Sequence, residues 1–136
     1  MKRQLTSILG LVLIPILVLS VCSDNKTTNP IDAFSPEIIN NIDAFEFQIT
    51  DAENVNTTVE YSWENTAIAA SVDQSCAITQ GSAIITIFDA DNTEVYTRDL
   101  SDGGSYPSQE GTAGTWTISV VFENVSGTVN FRAEAM

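Results

Sequence analysis

Residues 115–134, TWTISVVFENVSGTVNFRAE, decide the fold of this chain because apolar and polar side chains alternate along them. A period of two places successive side chains on opposite faces of a half-buried β-strand. Glu123 and Asn124 interrupt the alternation between Phe122 and Val125, and asparagine in particular is common in turns. The stretch therefore predicts two antiparallel strands that are joined in a hairpin at Glu123-Asn124.

The same alternation recurs towards the N-terminus and predicts an all-β fold. Further strands are predicted over residues 45–50, 59–64, 68–72, 76–79, 83–88 and 94–100. The turn formers of residues 89–93 join the last two strands in a hairpin, and the glycine-rich residues 101–114 predict a long surface loop. Trp63 and Trp116 fall on apolar phases and are predicted to lie in the core. We therefore predict one antiparallel β-sandwich of seven or eight strands, Ig-like or jelly-roll-like.

The N-terminus has the layout of an export signal. Lys2 and Arg3 precede an apolar run over residues 8–19, and Leu19-Ser20-Val21-Cys22 ends it. This segment resembles a bacterial lipoprotein signal, and the resemblance implies that Cys22 receives a diacylglyceryl group and becomes the first residue after cleavage. Val21 stands where Gly, Ala or Ser is usual. The alternatives are an uncleaved anchor over residues 5–22, which is near the lower length limit for crossing a bilayer, and simple secretion.

This layout divides the chain into three parts. Residues 1–21 form the signal peptide, residues 22–36 the lipidated cysteine and a flexible tether, and residues 37–136 the β-sandwich domain. The domain is expected on the extracytoplasmic side of the cell envelope. Ser23 rather than Asp follows Cys22, which by resemblance to enteric sorting rules favours the outer membrane or cell surface in a cell that has an outer membrane.

The chain is strongly acidic, with 18 Asp and Glu residues against 5 Lys and Arg residues. Without residues 1–21 it keeps only Lys26, Arg98 and Arg132 as basic residues. Such a surface repels phosphate backbones and anionic lipid headgroups. We expect no nucleic-acid partner, and membrane association through the lipid on Cys22 alone.

The chain contains no histidine and two cysteines. The missing histidine excludes Ser-His-Asp and Cys-His catalysis and His-ligated zinc. Carboxylates at Glu46, Glu60 and Glu64 could share a face, but a small sandwich has little room for a deep substrate cleft. We expect no enzymatic activity. Lipidation of Cys22 leaves Cys76 without a disulfide partner, whereas a secreted form with a free Cys22 thiol allows a bridge between them.

Asp89, Asp91, Asn92 and Glu94 place four oxygen-bearing side chains in one predicted turn. This set suits calcium, which takes about six to eight oxygen ligands. Asp and Asn are also favoured in turns for backbone reasons alone. The segment predicts either a plain hairpin turn or a weak calcium site, and calcium is the only cofactor that the sequence suggests.

Four side chains are candidates for binding a partner. Ile84 and Phe88 lie out of phase with the core residues of the strand over residues 83–88. They predict an apolar patch on the face opposite the core, a feature that often marks an interaction site. Tyr96, on the paired strand, is predicted to be exposed with them. Tyr106, beside Pro107 in the glycine-rich loop, is a candidate for stacking on a sugar.

Residues 61–133 carry a family resemblance. The stretches GSAIITIFDADNTEVYTRDL (81–100) and GTAGTWTISVVFENVSGTVNFRAEA (111–135) resemble the small β-sandwich modules of secreted bacterial proteins, including the pre-peptidase C-terminal type. The resemblance implies an accessory or binding role rather than a reaction. We expect a non-catalytic module for a protein or glycan partner. The alternatives are a calcium-dependent or carbohydrate-binding adhesive domain and a self-assembling surface subunit.

Overall fold

The computed structural model describes residues 29–136, which form seven antiparallel strands and a short 3-10 helix over Pro30–Phe34. The strands are β1 (Glu37–Asn41), β2 (Ala44–Asn65), β3 (Ala70–Gln74), β4 (Ala77–Phe88), β5 (Glu94–Asp99), β6 (Gly104–Pro107) and β7 (Gly114–Ala135). This architecture confirms the predicted all-β fold. No helix within the described residues is long and apolar enough to cross a membrane.

The strand β7 is continuous, so the hairpin predicted at Glu123-Asn124 is wrong. β2 pairs with β7 along almost its whole length, from Asn65 opposite Gly114 to Ala44 opposite Glu134. β4 pairs with the other edge of β7 through the same region. Because strands on both sides satisfy the backbone of β7, Glu123 and Asn124 form an irregularity within the strand rather than a reversal of the chain. Asn124 has a φ of +48°, and its N–H donates to the Asn56 side chain at 2.9 Å.

The sheet folds over on itself at these irregularities and forms two layers. The first layer contains β1, β3, β6, residues 44–52 of β2 and residues 127–135 of β7. The second layer contains β5, most of β4, residues 55–65 of β2 and residues 114–125 of β7. Aromatic rings from the two layers meet between them. The ring centroids of Phe47 and Phe122 are 6.2 Å apart, and those of Phe45 and Tyr61 are 5.3 Å apart.

The two tryptophans lie in this core, as predicted. Trp63 and Trp116 are buried, and their rings meet edge to face with centroids 5.9 Å apart. Each indole N–H reaches a backbone carbonyl: Trp63 Nε1 donates to Asn41 at 3.1 Å and Trp116 Nε1 donates to Thr112 at 2.7 Å. The core therefore buries both rings without leaving their polar atoms unpaired.

The packed part of the chain begins earlier than the predicted boundary at residue 37. The 3-10 helix packs on β2, Ile31 is buried in the core, and Phe34 packs against it. The sequence placed these residues in a flexible tether because a segment of five residues shows no apolar period. The predicted signal peptide and Cys22 lie outside the described residues.

The segment over residues 101–114 is more ordered than a long surface loop. It contains β6, and its later residues donate backbone hydrogen bonds to β3, to β5 and to the β2–β3 connection. Ser108 N–H donates to Ala70 O at 2.7 Å, Gln109 N–H to Val95 O at 2.8 Å and Gly111 N–H to Ile68 O at 2.7 Å. The segment therefore joins the edges of the two layers.

Candidate functional site

The outward surface of the second layer carries the predicted patch, and we call this surface the outer face. Residues directly opposite each other on paired strands share a face. Three rows therefore cross the outer face from β2 through β7 and β4 to β5. The rows are Thr58, Val121, Ile84 and Asp99; Glu60, Ser119, Thr86 and Thr97; and Ser62, Thr117, Phe88 and Glu94.

Ile84 and Val121 form an apolar centre in the first of these rows, and the polar second row separates this pair from Phe88 in the third. Ile84 and Val121 are direct neighbours on β4 and β7, and Phe88 lies four residues further along β4. Ile84 and Phe88 are half-buried, whereas Val121 is 37% exposed. Ile84 and Phe88 thus share the face on which they were predicted to lie, and Val121 extends the patch. Val121 was not predicted to belong to the patch because it falls on the polar phase of β7, with Thr117 and Ser119.

Hydroxyl and carboxylate groups surround this apolar centre. The hydroxyl oxygens of Thr86 and Thr97 are 3.2 Å apart and form a cross-strand hydrogen bond. Glu60 lies at the β2 edge of the face, and Glu94 and Asp99 lie at the β5 edge. The face therefore has an apolar centre with a polar and acidic rim, as protein interfaces commonly do.

Tyr96 does not belong to the outer face, contrary to prediction. It lies opposite Ile87 and is buried on the core side. Its hydroxyl donates to Gln74 Oε1 at 2.7 Å, and the amide of Gln74 donates to the carbonyls of Asp99 and Asp102. Burial raises the pKa of Tyr96 to about 12. Tyr96 and Gln74 thus hold the β5–β6 connection onto the first layer.

Tyr106 is half-buried against the core and does not offer a free ring for stacking on a sugar. The Arg98 guanidinium group covers one face of the Tyr106 ring, with its central carbon 3.6 Å from the ring centroid. The Tyr106 hydroxyl donates to Gly103 O at 2.9 Å. Arg98 also lies 3.7 Å from the Asp102 carboxylate. These contacts close the gap between the edges of β5 and β6, beside a groove of about 230 Å³.

The predicted calcium residues do not converge on a common point. Asp89 Oδ1 accepts from the N–H groups of Asp91 and Thr93 at 3.0 and 2.8 Å, and Oδ2 accepts from Thr112 N–H at 2.9 Å. These bonds, that from Thr93 first, lower the pKa of Asp89 below its ordinary value. Asp91 Oδ2 accepts from the Thr112 hydroxyl at 2.6 Å, while Asn92 and Glu94 are exposed. The described residues contain no group of three or more acidic, His or Cys side chains placed to hold one metal ion. Asp89 thus fastens the turn over residues 89–93 to the β6–β7 connection.

The three glutamates that could serve in acid–base chemistry are divided between the two layers. Glu46 is on the first layer, where its carboxylate is 2.7 Å from Arg132. Glu60 and Glu64 are on the second layer and point away from the core. The fold therefore separates Glu46 from the other two carboxylates.

Cys76 is a free cysteine that is half-buried beside β7. Its sulfur donates to Asn130 O at 3.2 Å and accepts from Asn130 N–H at 3.3 Å. Burial raises the pKa of the thiol, so the reactive thiolate is disfavoured. Its contacts are those of a small structural residue.

No protein family model matches the chain, and no curated protein matches it. Among solved structures, it is similar to a chain of the glycosylation associate protein (Gap123) complex from Streptococcus agalactiae, with 13% sequence identity and a TM-score of 0.40. The match covers 74% of this chain and 39% of the length of the Streptococcus chain.

Proposed function

We propose that this chain is a non-catalytic, lipid-anchored module of the bacterial cell envelope whose outer face binds a basic protein partner. One observation carries the proposal. Val121 is 37% exposed beside Ile84 on the outer face, polar residues lie around this pair, and none of the described residues covers it. An apolar centre within a polar rim is the arrangement in which interface side chains contribute most to binding.

The charge of the module favours a basic partner. Arg98 and Arg132 are the only basic side chains among the described residues, and each lies beside a carboxylate. The acidic rim of the outer face is therefore not neutralised from within the face. Opposite charges across an interface speed association and exclude like-charged partners.

A protein partner fits the outer face better than a glycan. Sugar recognition by stacking needs an exposed aromatic ring. None of the most exposed large apolar side chains among the described residues is aromatic: they are Ile38, Ile39, Ile42, Ile68, Val121 and Met136. Phe88, the aromatic residue of the outer face, is half-buried, Tyr96 is buried and Tyr106 lies under Arg98. Aliphatic side chains suit the apolar centre of a protein interface.

The proposed anchor would hold the domain close to the membrane. Asn29 caps the 3-10 helix with its side chain, which accepts from Ile31 N–H at 3.2 Å. Only residues 23–28 separate Asn29 from Cys22, a connection that spans at most roughly 25 Å. Because the 3-10 helix packs on β2, the connection between Cys22 and the folded domain is shorter than the predicted tether, which extended to residue 36.

We expect lipidation of the full chain to depend on Cys22. Cells that express the wild type should incorporate labelled palmitate into the chain, and cells that express Cys22→Ala should not. Cys76→Ala is the matched control, because it removes a cysteine from the folded domain, and it should be labelled like the wild type. Equally low labelling of the wild type and Cys22→Ala would contradict the anchor.

We expect Val121→Glu to abolish binding of the partner because it places a carboxylate in the apolar centre of the outer face. The full chain, solubilised from the envelope, is used to recover bound proteins before and after the substitution. Ile68→Glu is the matched control: it makes the same change of charge at an aliphatic side chain that is 51% exposed outside the outer face. A protein held by wild type and Ile68→Glu and lost with Val121→Glu supports the proposal. Recovery of the same protein by all three chains contradicts it, and binding of a glycan array that Val121→Glu does not change would favour the carbohydrate alternative.

A further inference from the structure

Among the described residues, the strand β1 forms an open edge of the first layer. It pairs with β2 on one side, and all five of its residues, EIINN, are exposed. Ile39 is 50% exposed. Edge strands of soluble proteins are commonly protected by charged side chains, proline, a bulge or a covering segment. β1 has no lysine, proline or bulge, and Glu37 at its start is its only charged residue. Its outward backbone groups are therefore available to another strand.

The β1–β2 connection determines which backbone groups point outward. Ile42 and Asp43 form a two-residue turn, and the flanking pair is Asn41 with Ala44. A two-residue hairpin closes on a hydrogen-bonded pair, and hydrogen-bonded and non-hydrogen-bonded pairs then alternate. Residues 37, 39 and 41 therefore bond to β2. The N–H and C=O groups of Ile38 and Asn40 point away from it.

We propose that β1 pairs with β1 of a second copy of the chain, antiparallel and centred on Ile39. In this register Ile38 of each copy faces Asn40 of the other, so that the outward backbone groups meet one another. Ile39 faces its own counterpart as a non-hydrogen-bonded pair. Only this register pairs all five residues of β1 and also places the outward backbone groups of one copy opposite the outward backbone groups of the other. A shift by one residue would place the outward groups of one copy opposite residues whose groups already bond to β2.

The charges along β1 agree with the proposed register. Glu37 is its only charged residue, and the register places it opposite Asn41 of the second copy. No carboxylate therefore faces another carboxylate across the new ladder. Glu46, which is next to Ile39 on β2, already lies 2.7 Å from Arg132.

The pairing is isologous, with the same strand on both sides of a two-fold axis. It joins the first layers of two copies into one continuous sheet. The outer face belongs to the second layer, so pairing through β1 leaves it free and is independent of the function proposed above. Because both copies are acidic, raising the salt concentration should strengthen the pair by screening their repulsion.

Disulfide trapping of the full chain tests the pairing and its register. Opposed residues of a non-hydrogen-bonded pair have Cα atoms about 4.5 Å apart, which is within the range for a disulfide. We expect Ile39→Cys to form a covalent dimer under mild oxidation at least about tenfold faster than Ile42→Cys, a control site that is 69% exposed and lies outside the strand. The parent chain, which contains Cys22 and Cys76, gives the background rate.

A mixture of two single variants distinguishes this register from others. We expect Glu37→Cys and Asn41→Cys chains to form a mixed dimer when combined, and neither variant to exceed the background alone. Adding Ile39→Asp to both chains should reduce the mixed dimer at least about tenfold, since it opposes two carboxylates at the centre of the pair. Cross-linking of Ile39→Cys at the rate of Ile42→Cys or of the parent chain would overturn the proposal. So would a mixed dimer that Ile39→Asp does not reduce.

Discussion

Replacing Gly81 with alanine is expected to destabilise the fold by roughly 3–5 kcal/mol, which is among the largest effects of a single substitution. Gly81 has a φ of +74°, in the left-handed region that side chains with a Cβ rarely adopt. A Cβ built at this position would lie 2.2 Å from the carbonyl oxygens of both Glu123 and Asn124. The obstacle is backbone, so the substitution must push β4 away from the bend in β7. This loss would remove much of the stability of an ordinary domain, which is about 5–15 kcal/mol.

Urea denaturation followed by tryptophan fluorescence measures this effect, because Trp63 and Trp116 are buried in the core. Gly103→Ala is the matched control. The nearest atom to a Cβ at Gly103 is Gln74 O, at 3.8 Å, and its φ lies outside the positive region. We expect the unfolding midpoint of Gly103→Ala to stay near that of the wild type. Equal midpoints for the two alanine variants would show that β4 does not approach β7 as closely as described.

Replacing Phe47 with alanine is expected to cost about 3–5 kcal/mol, as for other large-to-small substitutions of buried aromatic residues. Phe47 is almost fully buried in the first layer. Its ring centroid lies 5.2 Å from that of Phe131 in the same layer and 6.2 Å from that of Phe122 in the second layer. The cavity therefore opens between the layers, where neither layer alone can collapse to fill it.

Ile68→Ala is the control for Phe47→Ala, because Ile68 is exposed and its truncation should change stability by less than about 0.5 kcal/mol. Both variants are measured by urea denaturation, and the dependence of the unfolding free energy on urea concentration is fitted separately for each variant. We expect Phe47→Ala to lower the midpoint and to keep a single transition. Separate transitions for the two layers would contradict their mutual dependence.

The strands were largely predictable from the sequence, but their connections were not. Alternation over residues 45–50 and 59–64 placed Phe47 and Trp63 in the core correctly. It did not show that both stretches belong to β2. Asn residues with positive φ, such as Asn54 and Asn124, serve equally in turns and in strand irregularities. Which of the two occurs depends on whether a partner strand continues alongside, and the local sequence does not contain that information.

The candidate site was predictable only where the alternation stayed in phase. Ile84 and Phe88 share the outer face because β4 alternates without a break from residue 83 to residue 88. The pairing of β5 with β4 shifts its register between Ile87 and Phe88 of β4. Val95 and Tyr96 are consequently both buried, and Tyr96 moves to the core side. Gln74 follows Ala70 and Val72 on the core phase of β3, and this position was the only sequence signal for its buried role.

The pairing of β2 with β7 also determines when the chain can fold. β7 takes part in both layers and lies between β2 and its other neighbours in each. Contacts that are distant in sequence form slowly, because the intervening chain must be ordered before they can be made. The first layer therefore cannot be completed before residues near Ala135 have been synthesised, and the second layer cannot be completed before residues near Val125. Both layers therefore depend on β7, which is the last strand of the described residues.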